Sequence, residues 1–317
     1  MVTSQFRRII GFSLAVAVLA GCEEGDDMAQ GPLEVSIQEV GDVGLEVPGS
    51  IIHDPVDDVY LVSNIVGEPG ERDEEGFISR ISPDGEVIDL HWIQLFGPDL
   101  ALNTPRGMAI RGDTLFVADL DCVRMYERAD GAVVARVCLD GASYVTDVDV
   151  GPEGSIFVVD SGLAWGDMGL EPAGTDAVYR MVIEEGRQGS TLAQSPELGN
   201  PSGLAVGSRG IFVTTFSTGE IFRLTPEGER TDVIPPSDRS FDGIVFLPDG
   251  GFAYSSSSES AVYLVTGEGQ IVPLLQDVPD PGALGYDTSR NRLLVPLTRE
   301  NRLLFVDLPD DTEPVTP

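Results

Sequence analysis

A short motif recurs six times along this chain, and its spacing leaves few folds open. A turn leading into small and apolar residues appears as Pro48-Gly-Ser-Ile, Pro105-Arg-Gly-Met-Ala, Val145-Thr-Asp-Val, Pro201-Ser-Gly-Leu-Ala, Phe241-Asp-Gly-Ile-Val and Pro281-Gly-Ala-Leu-Gly. Successive starts lie 57, 40, 56, 40 and 40 residues apart, which is a period of 40 carrying two insertions. Behind each start comes a second apolar run: Tyr60-Leu-Val-Ser-Asn64, Leu115-Phe-Val-Ala-Asp119, Ile156-Phe-Val-Val-Asp160, Ile211-Phe-Val-Thr-Thr215, Phe252-Ala-Tyr-Ser-Ser256 and Leu293-Leu-Val-Pro-Leu297. A third run, a turn and a fourth run complete each unit, and four short strands in about 40 residues describe a propeller blade. The repeat predicts an all-β, six-bladed β-propeller over residues 33–309, with four antiparallel strands per blade.

The sixth repeat ends after its third strand, Arg302-Leu-Leu-Phe-Val-Asp307. Leu33 to Val40 alternates with period two and belongs to no blade of its own, so it is expected to supply the missing fourth strand and remove the open edge. The insertions fall in the second-to-third-strand loops of blade 1 (66–76) and blade 3 (162–176) and in the exit loop of blade 1 (91–104), which emerge on one face with the inner-strand starts. Trp92 and Trp165, the two tryptophans, are placed in these loops. Each either offers a stacking platform for a ring, sugar or peptide side chain or packs as a plug beneath its own loop.

At the N-terminus, Arg7 and Arg8 precede an apolar stretch, Ile9 to Ala20, too short to span a bilayer. It closes on Leu19-Ala20-Gly21-Cys22, which resembles a bacterial lipobox: residues 1–21 are expected to be a signal peptide, Cys22 the lipidated residue and 22–32 an acidic tether. By the same resemblance Glu23 favours the outer membrane, so the chain is expected in a bacterial cell envelope, touching the membrane through its lipid alone. Residues 310–317 read as a disordered tail. The formal net charge is −34, and removing 1–21 with its two arginines makes it −36. Such a surface repels nucleic acid and anionic lipid. With no lysine in the sequence, side-chain amine and Schiff-base chemistry are excluded. The expected partner is a small molecule, a sugar or a protein, bound by a monomer.

Cys122 and Cys138 flank Ala129-Asp130-Gly131, a hairpin turn. Centring the register on Asp130 pairs residues whose numbers sum to 260, which sets the two cysteines opposite each other and predicts a disulfide in an oxidising compartment. No nucleophile elbow, zinc-protease helix, phosphate loop or complete calcium loop is present. The remaining chemistry is a set of oxygen donors near the inner-strand starts, Asp147 and Asp242, with Asn64, Asp119 and Asp160 at second-strand ends. Together they could gather on a hard cation such as Ca²⁺. Arg106, Ser202 and His53 on inner strands join the tryptophans as candidate ligand contacts.

At these residues the chain resembles the regucalcin/gluconolactonase superfamily of six-bladed propellers, with NHL-type repeats as a looser match. The resemblance implies a divalent metal at the channel mouth, held by a Glu of blade 1, an Asn of blade 4 and an Asp of blade 5. Asp242-Gly243-Ile244 looks like the family's Asp-Gly segment, and Asp147 like the acid of a blade 3 Asn-Asp segment with Thr146 replacing the Asn. The blade 4 position reads Ser202, with Asn200 two residues back, and the blade 1 position reads Gly49, with Glu46 three residues earlier. The candidate metal set is therefore Asp242, Asp147, Asn200 and Glu46. Two function classes follow: a ligand-binding propeller, and a metal-dependent lactone or ester hydrolase in which Asp147 or Asp242 assists water.

Overall fold

The structure is a computed structural model that describes residues 35–97, 99–167, 169–182 and 189–309. The lipobox, Cys22, the tether and the tail lie outside those residues. Blade 1 is β2 (Pro48–Asp54), β3 (Val59–Asn64), β4 (Phe77–Ile81) and β5 (Val87–Ile93), paired in that order after the edge strand β1 (Ser36–Val40). Blade 2 is β6 (Pro105–Arg111), β7 (Thr114–Asp119), β8 (Cys122–Glu127) and β9 (Val133–Cys138). Blade 3 joins β10 (Val145–Val150) and β11 (Ile156–Asp160) to β14 (Ala177–Met181) and β15 (Ser190–Gln194). Its insertion forms a separate hairpin, β12 (Leu163–Gly166) with β13 (Gly169–Pro172). Blade 4 is β16 (Pro201–Gly207), β17 (Gly210–Thr215), β18 (Ile221–Leu224) and β19 (Arg230–Ile234). Blade 5 is β20 (Phe241–Phe246), β21 (Phe252–Ser256), β22 (Ala261–Val265) and β23 (Ile271–Leu275). Blade 6 consists of β24 (Gly285–Asp287), β25 (Arg292–Leu297) and β26 (Arg302–Asp307), and its fourth strand is β1, antiparallel to β26 from Ser36↔Asp307 to Val40↔Leu303.

The second strand of each blade is apolar throughout because its two faces serve two different cores. On β7, Leu115 and Val117 pack toward blade 1, while Phe116 and Ala118 pack toward blade 3. The same alternation around the ring leaves one buried apolar cluster at each of the six blade junctions. The innermost strands approach one another closely. A β-carbon on Gly107 of β6 would stand 1.8 Å from Asp147 Oδ1 on β10, so only glycine fits there. The first strands surround a central cavity of about 550 Å³.

Cys122 and Cys138 face each other across β8 and β9 and are disulfide-bonded. Register sums of 260 hold from Cys122↔Cys138 to Met125↔Ala135, beyond which the pairing shifts by one. Trp92 and His91 are not in an exit loop: they lie within β5. Trp92 is half-buried beneath the Arg80 guanidinium, 4.1 Å from its centre, and His91 meets the Phe77 ring edge-on at 4.5 Å. Polar and apolar residues alternate on this outer strand, and the run was too weakly apolar to read as one.

Candidate functional site at the channel mouth

The second residue of each inner segment forms a ring at the end of the channel nearest the inserted loops: Gly49, Arg106, Thr146, Ser202, Asp242 and Gly282. Two of the six are spent on closing the ring. Thr146 donates its hydroxyl to Pro201 O of the next blade (3.2 Å), and Ser202 donates to Phe241 O of the blade after it (2.8 Å). Arg106 and Asp242 carry the charge. Arg106 Nε donates to Tyr144 Oη at 2.9 Å, and its guanidinium lies over the Tyr144 ring, 4.9 Å from the centroid. Tyr144 is held in turn by its backbone N–H, which donates to Asp160 Oδ1 at 2.8 Å.

Burial pushes the Asp242 carboxyl up to about 6; the nearby Arg106 guanidinium opposes that shift, and Asp280 adds to it by repulsion. Burial by itself would weaken the hold of Arg106 on its proton, but the fields of Tyr144, Asp242 and Asp280 more than offset it. Both inserted segments reach this place. Gly70, in the blade 1 loop, lies against the Tyr144 ring, Trp165 of β12 and Leu170 of β13. With φ at +101° and Leu170 3.1 Å from where a β-carbon would stand, the position is restricted to glycine. Trp165 sits in the hairpin opposite Leu170, with 39% of its surface exposed. The mouth therefore sets a cation, Arg106, in the field of an acid, Asp242, beneath a loop and a hairpin, while the central cavity beyond it is lined by Asp147, Asp149 and His53.

The other expected residues are committed elsewhere. Asp147 accepts backbone N–H groups from Val148 (2.9 Å) and Leu204 (2.8 Å), and Asp149 repeats the device with Val150 and Val206, so the pair stitches β10 to β16. Burial raises the Asp147 carboxyl well above its usual range, against the pull of the Leu204 N–H and with added repulsion from Asp149. Asn200 donates to Ser161 O (2.7 Å) and accepts from the Ser217 hydroxyl. Glu46 is exposed. The acids and amide that close the second strands are latches: Asn64 accepts the N–H of Glu46, Asp119 those of Asn103 and Thr104, and Asp160 those of Ser143, Tyr144 and Gly162. Each latch fixes the loop that enters its own blade. His53 lies near the far end of β2, between Asp58 (3.1 Å) and Asp287 (3.3 Å), with Arg290 on both carboxylates. It belongs to a structural ion network rather than to the mouth.

These positions do not fit a divalent cation. Among the described residues, no cluster of three His, Cys, Asp or Glu side chains contains Asp147, Asp242 or Glu46. The one free carboxylate of the ring, Asp242, is already in the field of a guanidinium, and a second positive charge beside it would be repelled. Of the expected set, Asp147 and Asp242 lie in each other's field, Asn200 is bound to Ser161 and Ser217, Glu46 is exposed, and Arg106 stands beside Asp242. Tyr144 and Asp280 were missed by the sequence reading, because each precedes its inner-strand motif by one residue and only the folded ring turns it toward the mouth.

No protein-family model matches the chain, and no curated protein matches it. The fold is similar to that of a gluconolactonase from Xanthomonas campestris, with a TM-score of 0.66, 19% identity, and coverage of 87% of this chain and 90% of that one. A streptogramin B lyase matches with a TM-score of 0.62 at 11% identity over 87% of this chain and 98% of its own. Virginiamycin B lyase from Staphylococcus aureus matches with a TM-score of 0.58 at 14% identity, over 87% and 100%. At these identities the likeness establishes a shared fold, on which the gluconolactonase-like reading of the repeat and the solved structures agree.

Proposed function

We propose that this chain is a binding propeller whose channel mouth recognises a small polar molecule bearing a carboxylate or similar anionic group. Arg106 would take the anionic oxygens, since a guanidinium presents paired donors to a planar anion. Asp242 would accept a hydroxyl or amine hydrogen, and the capping loop and hairpin with Trp165 would cover the remainder. The reading rests on one observation: Arg106 is anchored by Tyr144 but has no carboxylate within ion-pair distance among the described residues, although acids outnumber bases 53 to 19 in the chain. The lipobox ending on Cys22 would put this binding face in a bacterial envelope.

A thermal-shift and calorimetric panel of sugar acids and small hydroxycarboxylates tests the proposal. At least one member is expected to bind the wild type, with Arg106→Gln weakening it about tenfold or more. If no member distinguishes wild type from Arg106→Gln, the mouth is not the binding site. A lactone or ester hydrolase is the second reading. It is favoured by a carboxyl raised to about 6, near enough to neutrality to take a proton from water, and by the fold neighbour named as a gluconolactonase. Glucono-δ-lactone opening above the buffer rate, lost in Asp242→Asn, would support it, and an unaltered rate in that variant would remove it.

A further inference from the structure

The fifth residue of each inner segment occupies an equivalent place in its blade, opposite the second residue of the neighbouring strand: Ile52↔Leu61, Ala109↔Phe116, Asp149↔Phe157, Ala205↔Phe212, Val245↔Ala253 and Gly285↔Leu294. All six of these inner residues line the central cavity of about 550 Å³. Five are small or apolar, and blade 3 alone presents an acid. The third position repeats the contrast, with Asp147 standing where the other blades have Ser50, Gly107, Gly203, Gly243 and Ala283. Five blades therefore close into the ring without a carboxylate at either position, so the fold itself does not require this pair.

Both carboxylates reach the cavity, and no cation answers them. Asp147 and Asp149 belong to its lining, and among the described residues neither has an arginine or histidine within ion-pair distance. The backbone N–H groups of Val148, Leu204, Val150 and Val206 hold them in place. Those donors are neutral, and each carboxylate oxygen keeps a second lone pair. Asp147 is buried, whereas Asp149 is half-buried and within reach of a guest. Burial raises the Asp149 carboxyl to about 6, against the pull of the Val206 and Val150 N–H groups, so at a pH above 7 it is mostly ionised. His53 is the one basic side chain of the lining, and it already lies between Asp58 and Asp287. The walls are otherwise apolar, from Met108, Leu204 and Ile244 at one level and Ile110, Val206 and Phe246 beyond them. Pro55 and Val56 of the β2–β3 turn and Gly112 of the β6–β7 turn extend the lining toward the face opposite the inserted loops.

We infer that the central cavity is a second binding site, for a small organic cation with an apolar body whose charge rests against Asp149. Such a guest exchanges water for apolar walls and sets its positive centre beside a carboxylate that the fold leaves without a counter-charge. The volume suits a molecule of ordinary ligand size. A bare divalent ion does not fit, because it needs about six or more oxygen ligands and the surroundings of the two acids are apolar. The inference is independent of what Arg106 binds at the channel mouth.

Calorimetry on the purified full chain in 0.15 M NaCl, buffered above pH 7, with benzylamine, benzyltrimethylammonium and the neutral benzyl alcohol tests the inference. Saturable one-to-one binding of at least one cationic probe is expected, with benzyl alcohol about tenfold weaker or more. Preference between the two cations tells whether Asp149 acts through a hydrogen bond or through charge alone. Asp149→Asn should weaken binding about tenfold, and so should Ile110→Phe, which fills the cavity without touching either carboxylate. Asp89→Asn, an equal loss of charge on β5, should leave the affinity unchanged, and Arg106→Gln should not weaken it. Absence of saturable binding by both cations would overturn the inference, as would equal affinity for benzyl alcohol or an equal loss in Asp89→Asn. If Asp149→Asn fails to fold, Ile110→Phe decides, and an unchanged affinity there places the probes outside the cavity and overturns the inference.

Discussion

Asp242 and Asp149 both have carboxyls that burial raises to about 6, from an ordinary value of 3.8. Asp149 is compensated by the N–H groups of Val150 and Val206, whereas Asp242 has only the field of Arg106 to offset its burial. Because the folded-state pKa is the higher one, the folded chain binds the proton more tightly. Stability from this group therefore falls as pH rises from about 4 to about 6, and the full cost is present at pH 7. Asp242→Asn removes that dependence. By urea unfolding, its stability relative to wild type should rise by roughly 1–3 kcal/mol between pH 4 and pH 7. An offset that is the same at both pH values would mean that the carboxyl titrates normally. Asp242 was legible in the sequence as a charged residue in a repeated position. Its opposition to Arg106 was not, because the two are 136 residues apart and meet only when the ring closes.

At the level of elements, the β8–β9 hairpin shows what a local signal can carry. Next to the turn Tyr126 pairs with Val133, a sum of 259, and the bulge between Met125 and Tyr126 brings the ladder to the sum of 260 at which Cys122 and Cys138 meet, so the turn placed the cysteines within one residue and the bulge completed the register. The crosslink spans 16 residues, for which the loss of unfolded-chain freedom is about 3 kcal/mol. Replacing both cysteines by alanine should lower unfolding free energy by about 2–4 kcal/mol in non-reducing buffer, and adding a reductant to the variant should do nothing further. A variant as stable as the wild type would show that the β-ladder alone fixes this hairpin. The insertions were equally visible as breaks in the period of 40, but their internal structure was not. Leu163–Gly166 and Gly169–Pro172 are too short to announce themselves as strands, and nothing in the blade 1 loop marks Gly70 as the point that meets them. Trp92 was misplaced for a related reason: an outer strand with one exposed face alternates too weakly to be told from a loop.

Over the whole molecule, the six-fold repeat was readable because each blade must bury two faces against its neighbours, and that demand is written into the second strands as unbroken apolar runs. Function left no comparable trace, since an acidic chain scatters carboxylates everywhere and most of those at strand ends serve as backbone latches. What distinguishes a site in such a background is an unpaired positive charge. The channel mouth has one, where a metal centre would need several negative groups and no fixed cation. Surface acids will still bind calcium diffusely, so the deciding experiment is calcium calorimetry on the wild-type chain at about 0.15 M NaCl, where that background is screened. A titration with no saturable, stoichiometric site is predicted, both for the wild type and for Asp242→Asn. A one-to-one calcium site in the wild type that disappears in Asp242→Asn would contradict a guanidinium-centred mouth and restore the metal.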